Sequence, residues 1–498
     1  MSTARRSERL VLALLLSALP TLAQAQIPVR EYADRRAMLA TRIDSGVIIA
    51  FGGVEPVNYW PAFFQLPSFQ YLTGFPETDA VLVMVKRPGG TTATMFVPKR
   101  SAVQARWMGN RTSVAAIAGR VPGVNGRDIA DLAKVTDSLA KAGMRFYVVP
   151  DVQTIDYADQ DSLTRGSRFL TTMRSRYPAL AVHSLDSVVT ALRGKKSAAE
   201  IALLRKATQV SVKAHQEAMK ATGPGCGEWE IQALMEGTFR RMGGDRPGYG
   251  SIVGSGPNAT ILHYFEDSRV MNDGELLLID AASSFDHYSS DVTRTMPVNG
   301  RFTPAQKEIY QLVRDAQEAF VRQIRPGSSM TVSRDSGRTV ITNGLVRLGL
   351  IESADAAFDP MEGMRCPPTG CRQVSLFATH GYGGHGIGLE VHDPSQYDQD
   401  MKARPGDVFT VEPGLYIDPD FINRLPDTPR NRAMLARVRP AIEKYKWIGV
   451  RIEDAYALTE RGLEWLSTGA PREIDEIEAL MAKPGPELPG GGSCGIKS

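Results

Sequence analysis

Four carboxylates stand at the ends of apolar runs. Leu276–Ile279 lead into Asp280, and eleven residues later, after Ser289 and Ser290, comes Asp291. Val408, Phe409 and Val411 lead into Glu412, with Pro413 and Gly414 behind it. Ile448, Val450 and Ile452 alternate with Arg451 and Glu453. One acid at a core edge can sit on a solvated turn, because an unpaired buried charge is costly. Four brought together would repel one another by several kcal/mol at an effective dielectric of about 20. Divalent cations would remove that repulsion.

The histidines point the same way. Five of the seven, His263, His287, His380, His385 and His392, fall within 130 residues. Three of these stand in the glycine-rich run "THGYGGHGIGLEVHDPS". Glycines there let backbone approach closely and leave side-chain space open. His385 and His392 are seven apart, which in an extended passage turns them to different sides and gives them different jobs. One imidazole with four carboxylates is a hard, oxygen-rich donor set. It suits Mn²⁺, Co²⁺, Fe²⁺ or paired Zn²⁺ better than a thiolate zinc site does.

The elements that must position these groups follow from patterning. "GVIIAFGG" (46–53) and "AVLVMVKR" (80–87) read as strands. "GGTTATMFVPKR" reads as the next strand of a hairpin, 129–142 as a helix and "MRFYVVPD" as another strand. A boundary falls near 193–197. After it, Ser197 and Glu200 form a capping box that starts a helix with Ile201, Leu204 and Ala207/Thr208 on one face. Further helices are predicted over 228–241 and 303–323, the second with Thr303 as N-cap and Pro304 at its first position. Beyond Ser251 the chain is rich in strands. A hairpin between Asp280 and Asp291 would bring the second acid back beside the first.

Composition sets the outer limits. The 498 residues are 43% apolar and 23% charged, enough for two or three domains with substantial cores. Residues 1–25 read as a signal peptide, with Arg5, Arg6 and Arg9, a short apolar stretch over 10–18 and Ala23-Gln24-Ala25 as a cleavage site. A membrane-anchoring helix is the alternative. Without that segment the net charge falls from +3 to +1, which gives no overall pull toward nucleic acid. "CPPTGC" suggests a local disulfide between Cys366 and Cys371; a zinc site would need a second ligand pair. The tail 483–498 reads as flexible.

These segments resemble the pita-bread metallopeptidase family, whose ligand order is Asp, Asp, His, Glu, Glu. "LLIDAA" supplies Asp280, "SSDVTRT" Asp291, "GGHGIGLEVHD" His385, "VEPGLY" Glu412 and "VRIEDA" Glu453. "FQYLTGFPETDAVLVMV" (69–85) is similar to the aminopeptidase P N-terminal domain, which points to the proline-specific branch. The resemblance implies an α/β (α+β) chain with a creatinase-like N-terminal α/β domain over 26–190 and a pita-bread catalytic domain over 195–482.

It also implies roles. Asp291 and Glu453 would bridge two divalent ions, Mn²⁺ foremost, with Asp280 on one and His385 and Glu412 on the other. A water or hydroxide between the ions would be the nucleophile, with Glu412 as proton shuttle. His392 would steady the carbonyl oxygen, and His263 and His380 would meet substrate. Arg451 would orient the acids. The implied enzyme is an exported Xaa-Pro aminopeptidase, periplasmic or secreted, dimeric or tetrameric, acting on proline-containing peptides. An Xaa-Pro dipeptidase is the alternative, and a non-catalytic binding protein the remote one.

The chain also departs from the family pattern. Ala282 stands where a glycine is usual, and Asp267 where an asparagine is usual. His380 and His385 are five apart where four is usual, which displaces His380. Segments 354–373 and 418–446 look like excursions, the first close to the site.

Overall fold

The computed structural model describes residues 26–56, 62–149, 164–364, 366–367, 370–377 and 383–486. The segment 1–25, His380 and most of the tail lie outside the described residues.

The first half is built on a six-stranded sheet. Its order is Asn125–Asp128, Gly90–Val97, Val81–Arg87, Gly46–Phe51, Phe146–Val148, Val182–Ser184. Gly46–Phe51 pairs antiparallel with Val81–Arg87, which forms a hairpin with Gly90–Val97. Gly46–Phe51 pairs in parallel with Phe146–Val148. It is buried throughout, so its unbroken apolar run is that of a strand covered on both faces. The helix expected over 129–142 divides into a short 3₁₀ turn, Ile129–Asp131, and the helix Leu132–Lys141. The Asp128 side chain caps the turn through the Ala130 N–H.

The capping box at Ser197 forms as its residues require. Ser197 N donates to Glu200 Oε2 at 2.8 Å, and Glu200 N donates to Ser197 Oγ at 3.2 Å. From it runs the 24-residue helix Ala198–Ala221. Glu200 also accepts from Tyr288 Oη at 2.9 Å and lies 3.3 Å from Arg35 Nη2, which ties this helix to the first half. Just before it, Arg193 reaches Glu390 at 2.6 Å and also bonds Asp393, and Lys196 lies 3.0 Å from Asp393. Together these residues at the junction of the two halves grip the loop that carries His392.

The second half packs small antiparallel sheets against the helices Ala198–Ala221, Glu228–Arg241 and Pro304–Val321. The last begins as expected, with Thr303 Oγ1 accepting from Gln306 N. Leu276–Asp280 pairs with Thr293–Pro297, Thr293 opposite Asp280. The two acids are therefore brought together by adjacent strands, while Ser283–Phe285 and Tyr288–Ser289 between them make a separate hairpin in another sheet. Cys366 and Cys371 are joined as a disulfide, with Cα atoms 5.0 Å apart. The segment around them docks on the helix Pro429–Tyr445, where Asn431 Nδ2 donates to Asp359 O and Thr428 Oγ1 to Asp359 Oδ2. The two excursions therefore brace each other. No described helix is long and apolar enough to cross a membrane.

Candidate metal centre

Each acid stands at or beside a strand end, and two of them are held by threonine hydroxyls. Thr410, two before Glu412, donates its hydroxyl to Glu412 Oε1 at 3.1 Å. Thr293, two after Asp291, donates to Glu453 Oε2 at 2.7 Å. Period-2 alternation places Thr410 beside Glu412, whereas Thr293 reaches Glu453 from a strand 160 positions away in sequence. Tyr249, arriving from a different loop, lies 2.6 Å from Asp280 Oδ1 and 2.5 Å from Asp291 Oδ1. His385 Nε2 lies 3.4 Å from Asp291 Oδ2 and 3.2 Å from Glu412 Oε1. Asp291, His385 and Glu453 each offer a ligand atom within 4.8 Å of the others. All five side chains singled out by residue type thus meet at one place.

Arg451 is fully buried and reaches Asp280 Oδ2 at 2.6 Å. Its other donors go to Tyr416 Oη at 2.7 Å, Leu262 O at 3.3 Å and Thr293 Oγ1 at 3.3 Å. It therefore holds Asp280 directly and Glu453 only through Thr293.

The electrostatics express crowding. Burial, followed by the charge of Asp280, pushes the Asp291 carboxyl up to about 6. Burial and then the charges of Asp291, Glu412 and Asp280 hold Glu453 well above the ordinary carboxylate range. Burial alone would lower His385, but Asp291 and Glu412 more than reverse this and hold the imidazole well above its ordinary value. Glu453 Oε1 is buried with no hydrogen-bond partner. Too few cations and donors serve these oxygens, a surplus that divalent ions would neutralise. The residues present fit a metal centre.

The relation between His385 and His392 differs from the expectation. They face each other, with ring centroids 4.2 Å apart and planes at 78°. The intervening loop is not extended: Asp393 N donates to Gly386 O at 2.8 Å, and Gly388 N to Glu390 O at 3.0 Å. The chain reverses between the two imidazoles, so counting residues misplaces them. His263 is exposed at the rim, its ring 6.0 Å from that of Phe265. The neighbouring Leu262 carbonyl is the one held by Arg451. His287 lies elsewhere, packed on Phe64 with ring centroids 4.3 Å apart.

The Ser255–Arg269 segment behind His263 is held by the fully buried Glu228. It accepts from Ser255 N at 2.6 Å, Tyr264 Oη at 3.0 Å and Arg269 N at 2.9 Å. Asp267 lies in the same segment at φ 43°, where asparagine is also at home. Its Oδ1 accepts from Val253 N at 3.0 Å, while its buried Oδ2 has no partner. Burial, then the charges of Glu228 and Glu236, raise this carboxyl from 3.8 to about 7.

A raised folded-state value means that ionisation opposes folding. The penalty is absent below about pH 4, grows as pH rises and is complete above about pH 7, with an upper bound of about 4 kcal/mol. Asp267→Asn keeps the Val253 acceptor and removes the charge. It is expected to stabilise the protein by about 1–3 kcal/mol above neutrality and by almost nothing at acid pH. Urea unfolding across pH checks this; a gain independent of pH would contradict it.

Sequence reasoning missed Tyr249, Thr293, Thr410 and Tyr416. Thr410 carries a signal, its two-residue offset from Glu412 along a strand; Thr293 carries none, because the acid it serves, Glu453, is 160 positions away. The tyrosines carry none, because each comes from a separate segment.

Comparison with known proteins bears on this site. Residues 202–460 match metallopeptidase family M24, and residues 32–147 match the aminopeptidase P N-terminal domain. The chain is 34% identical over 471 residues to the Xaa-Pro aminopeptidase of Escherichia coli, covering 92% of this chain and 98% of that protein. It is 33% identical over 465 residues to that of Haemophilus influenzae, with the same coverage. Among solved structures, the Pseudomonas aeruginosa aminopeptidase PepP matches with a TM-score of 0.75 at 33% identity, over 92% of this chain and 99% of that one. Aminopeptidase P of E. coli with the inhibitor Pro-Leu matches with a TM-score of 0.72 at 32% identity, over 92% and 98%.

Proposed function

The chain belongs to metallopeptidase family M24, with an aminopeptidase P N-terminal domain ahead of its peptidase domain, and from that premise we propose that it is an Xaa-Pro aminopeptidase. It removes the N-terminal residue from peptides whose second residue is proline. The observation that carries this reading is the buried meeting of Asp280, Asp291, His385, Glu412 and Glu453, with one glutamate oxygen left unpaired.

Asp291 and Glu453 would be shared by two divalent ions, with Asp280 serving one and His385 and Glu412 the other. Mn²⁺ suits this oxygen-rich set. Bound there, the pair supplies Lewis-acid polarisation of the scissile carbonyl and lowers the pKa of the water that acts as nucleophile.

The chain's own groups do the rest. Glu412, with one oxygen held by Thr410, carries the proton from the nucleophile toward the leaving amine. His392, edge-on to His385, steadies the charge that develops on the carbonyl oxygen. His263, with the exposed Ile261 and Phe265, offers an apolar rim for the peptide's side chains. Arg451 holds the Asp280 carboxylate in place through its Oδ2.

Residues 1–25 are a cleaved export signal in this reading, the mature protein is periplasmic or secreted, and the domains run over 26–190 and 195–482. It works as a dimer or tetramer.

The test is chelation followed by reconstitution. The stripped protein is expected to lose activity on Xaa-Pro-Yaa peptides and to regain it on addition of Mn²⁺. Full activity after stripping would overturn the reading. A preference for Xaa-Pro over Xaa-Pro-Yaa would make it a dipeptidase instead.

A further inference from the structure

The helix Ala198–Ala221 packs its inner face against the core, and three positions on that face are polar. Thr208, Ser211 and His215 lie at i, i+3 and i+7 and are all fully buried. Buried polar groups must find partners. Thr208 and Ser211 find them on the excursion between Asp280 and Asp291; His215 finds them, through Nε2 alone, on the residues that follow those two acids, and its buried Nδ1 has none.

Thr208 donates its hydroxyl to Leu204 O at 2.7 Å, so at 2.8 Å it accepts from the hydroxyl of Ser290, the residue before Asp291. Ser211 likewise donates to Ala207 O at 2.9 Å and accepts from Ser283 N at 2.9 Å. His215 Nε2 lies 3.0 Å from Ala281 O and 3.0 Å from Val292 O. Both partners are carbonyls, so Nε2 carries the proton and donates to the two at once.

Those two carbonyls belong to the residues immediately after Asp280 and Asp291. The only other bond between these two residues is long, with Ala281 N to Val292 O at 3.4 Å. One imidazole N–H thus spans the mouth of the excursion, at the point where the two strands deliver their acids. The hydroxyls of Thr208 and Ser211 fasten the excursion a step farther in.

We propose that His215 is a positioning residue that sets the separation of Asp280 and Asp291, with Ser211 and Thr208 as its auxiliaries. This rests on the metal reading of the site. The carboxylates it spaces are one shared ligand and one private ligand. A loss of spacing therefore weakens binding of the ion that needs both.

The test is Mn²⁺ titration of the full-length protein, read by calorimetry and by the spin-coupled signal of a paired Mn²⁺ centre. Wild type is expected to bind two ions. His215→Leu removes the N–H and is expected to weaken the weaker-bound ion by roughly 10–100-fold and to lose the coupled signal. His215→Gln places an amide N–H₂ where Nε2 was and is expected to restore both. Val210→Ala opens a cavity in the same helix without removing any of these hydrogen bonds. It is expected to lower the melting temperature and leave Mn²⁺ affinity unchanged. If His215→Leu does not fold, Ser211→Ala, which orphans Ser283 N, is expected to weaken the same ion.

Wild-type Mn²⁺ affinity in His215→Leu, or an equal loss in Val210→Ala, would overturn the positioning role while leaving the metal reading intact. A wild-type protein that binds no Mn²⁺ would overturn both.

Discussion

Asp291→Ala and Glu453→Ala are each expected to abolish turnover and to lower the metal content of the purified protein. Both residues are nearly or fully buried, and their carboxyl groups are raised by that burial first and then by their neighbours' charges, as expected of acids packed together for a cation. Lewis-acid stabilisation is worth several kcal/mol, and each 1.36 kcal/mol is tenfold in rate. A fall in kcat/KM of roughly 10³-fold or more follows. The two variants differ in what they leave behind. Glu453→Ala frees the Thr293 hydroxyl, which still lies 3.3 Å from Arg451 Nε. Asp291→Ala removes one partner of both Tyr249 and His385. Elemental analysis with peptide kinetics decides the matter; wild-type activity in either variant would contradict the assignment to shared ions.

Arg294→Met is expected to cost about 3–5 kcal/mol of stability, the range for breaking a buried ion pair. Arg294 is completely buried. It donates to Asp454 Oδ1 at 2.6 Å and to the carbonyls of Thr293, Glu453, Ala470 and Pro471. Methionine fills much of the volume and withdraws every one of these donors. Asp454 keeps Arg472 at 2.7 Å, Gln317 at 3.0 Å and Ser467 at 2.6 Å, so the loss falls mainly on the backbone around Glu453. Metal retention should therefore decline along with the unfolding midpoint. A change smaller than about 1 kcal/mol in urea titration would show that water or rearrangement serves those carbonyls instead.

That these acids and His385 belong together was legible because most of them interrupt a pattern. Asp280, Glu412 and Glu453 end runs that only a buried strand explains, and His385 stands among glycines that leave room for it. Capping at Ser197 and Thr303 was legible for a similar reason, since a hydroxyl and a residue three positions on form a closed local code. What was not legible depends on chain reversals and on partners far apart in sequence. The opposed rings of His385 and His392 follow from a turn closed by Asp393 N and Gly386 O, which residue counting cannot see. Tyr249 sits in a short segment with no periodicity. His215 looks like one more helical residue until the carbonyls of Ala281 and Val292, 66 and 77 positions away, arrive beside it.

The grip of Arg193 and Lys196 on Asp393 bears on how the chain can be cut. Both cations precede residue 202, where the peptidase match begins. A fragment trimmed to that match would strand Asp393 and Glu390 in apolar surroundings, next to the imidazole they help to place. A minimal active version is therefore expected to begin upstream of Arg193, so that it keeps both cations.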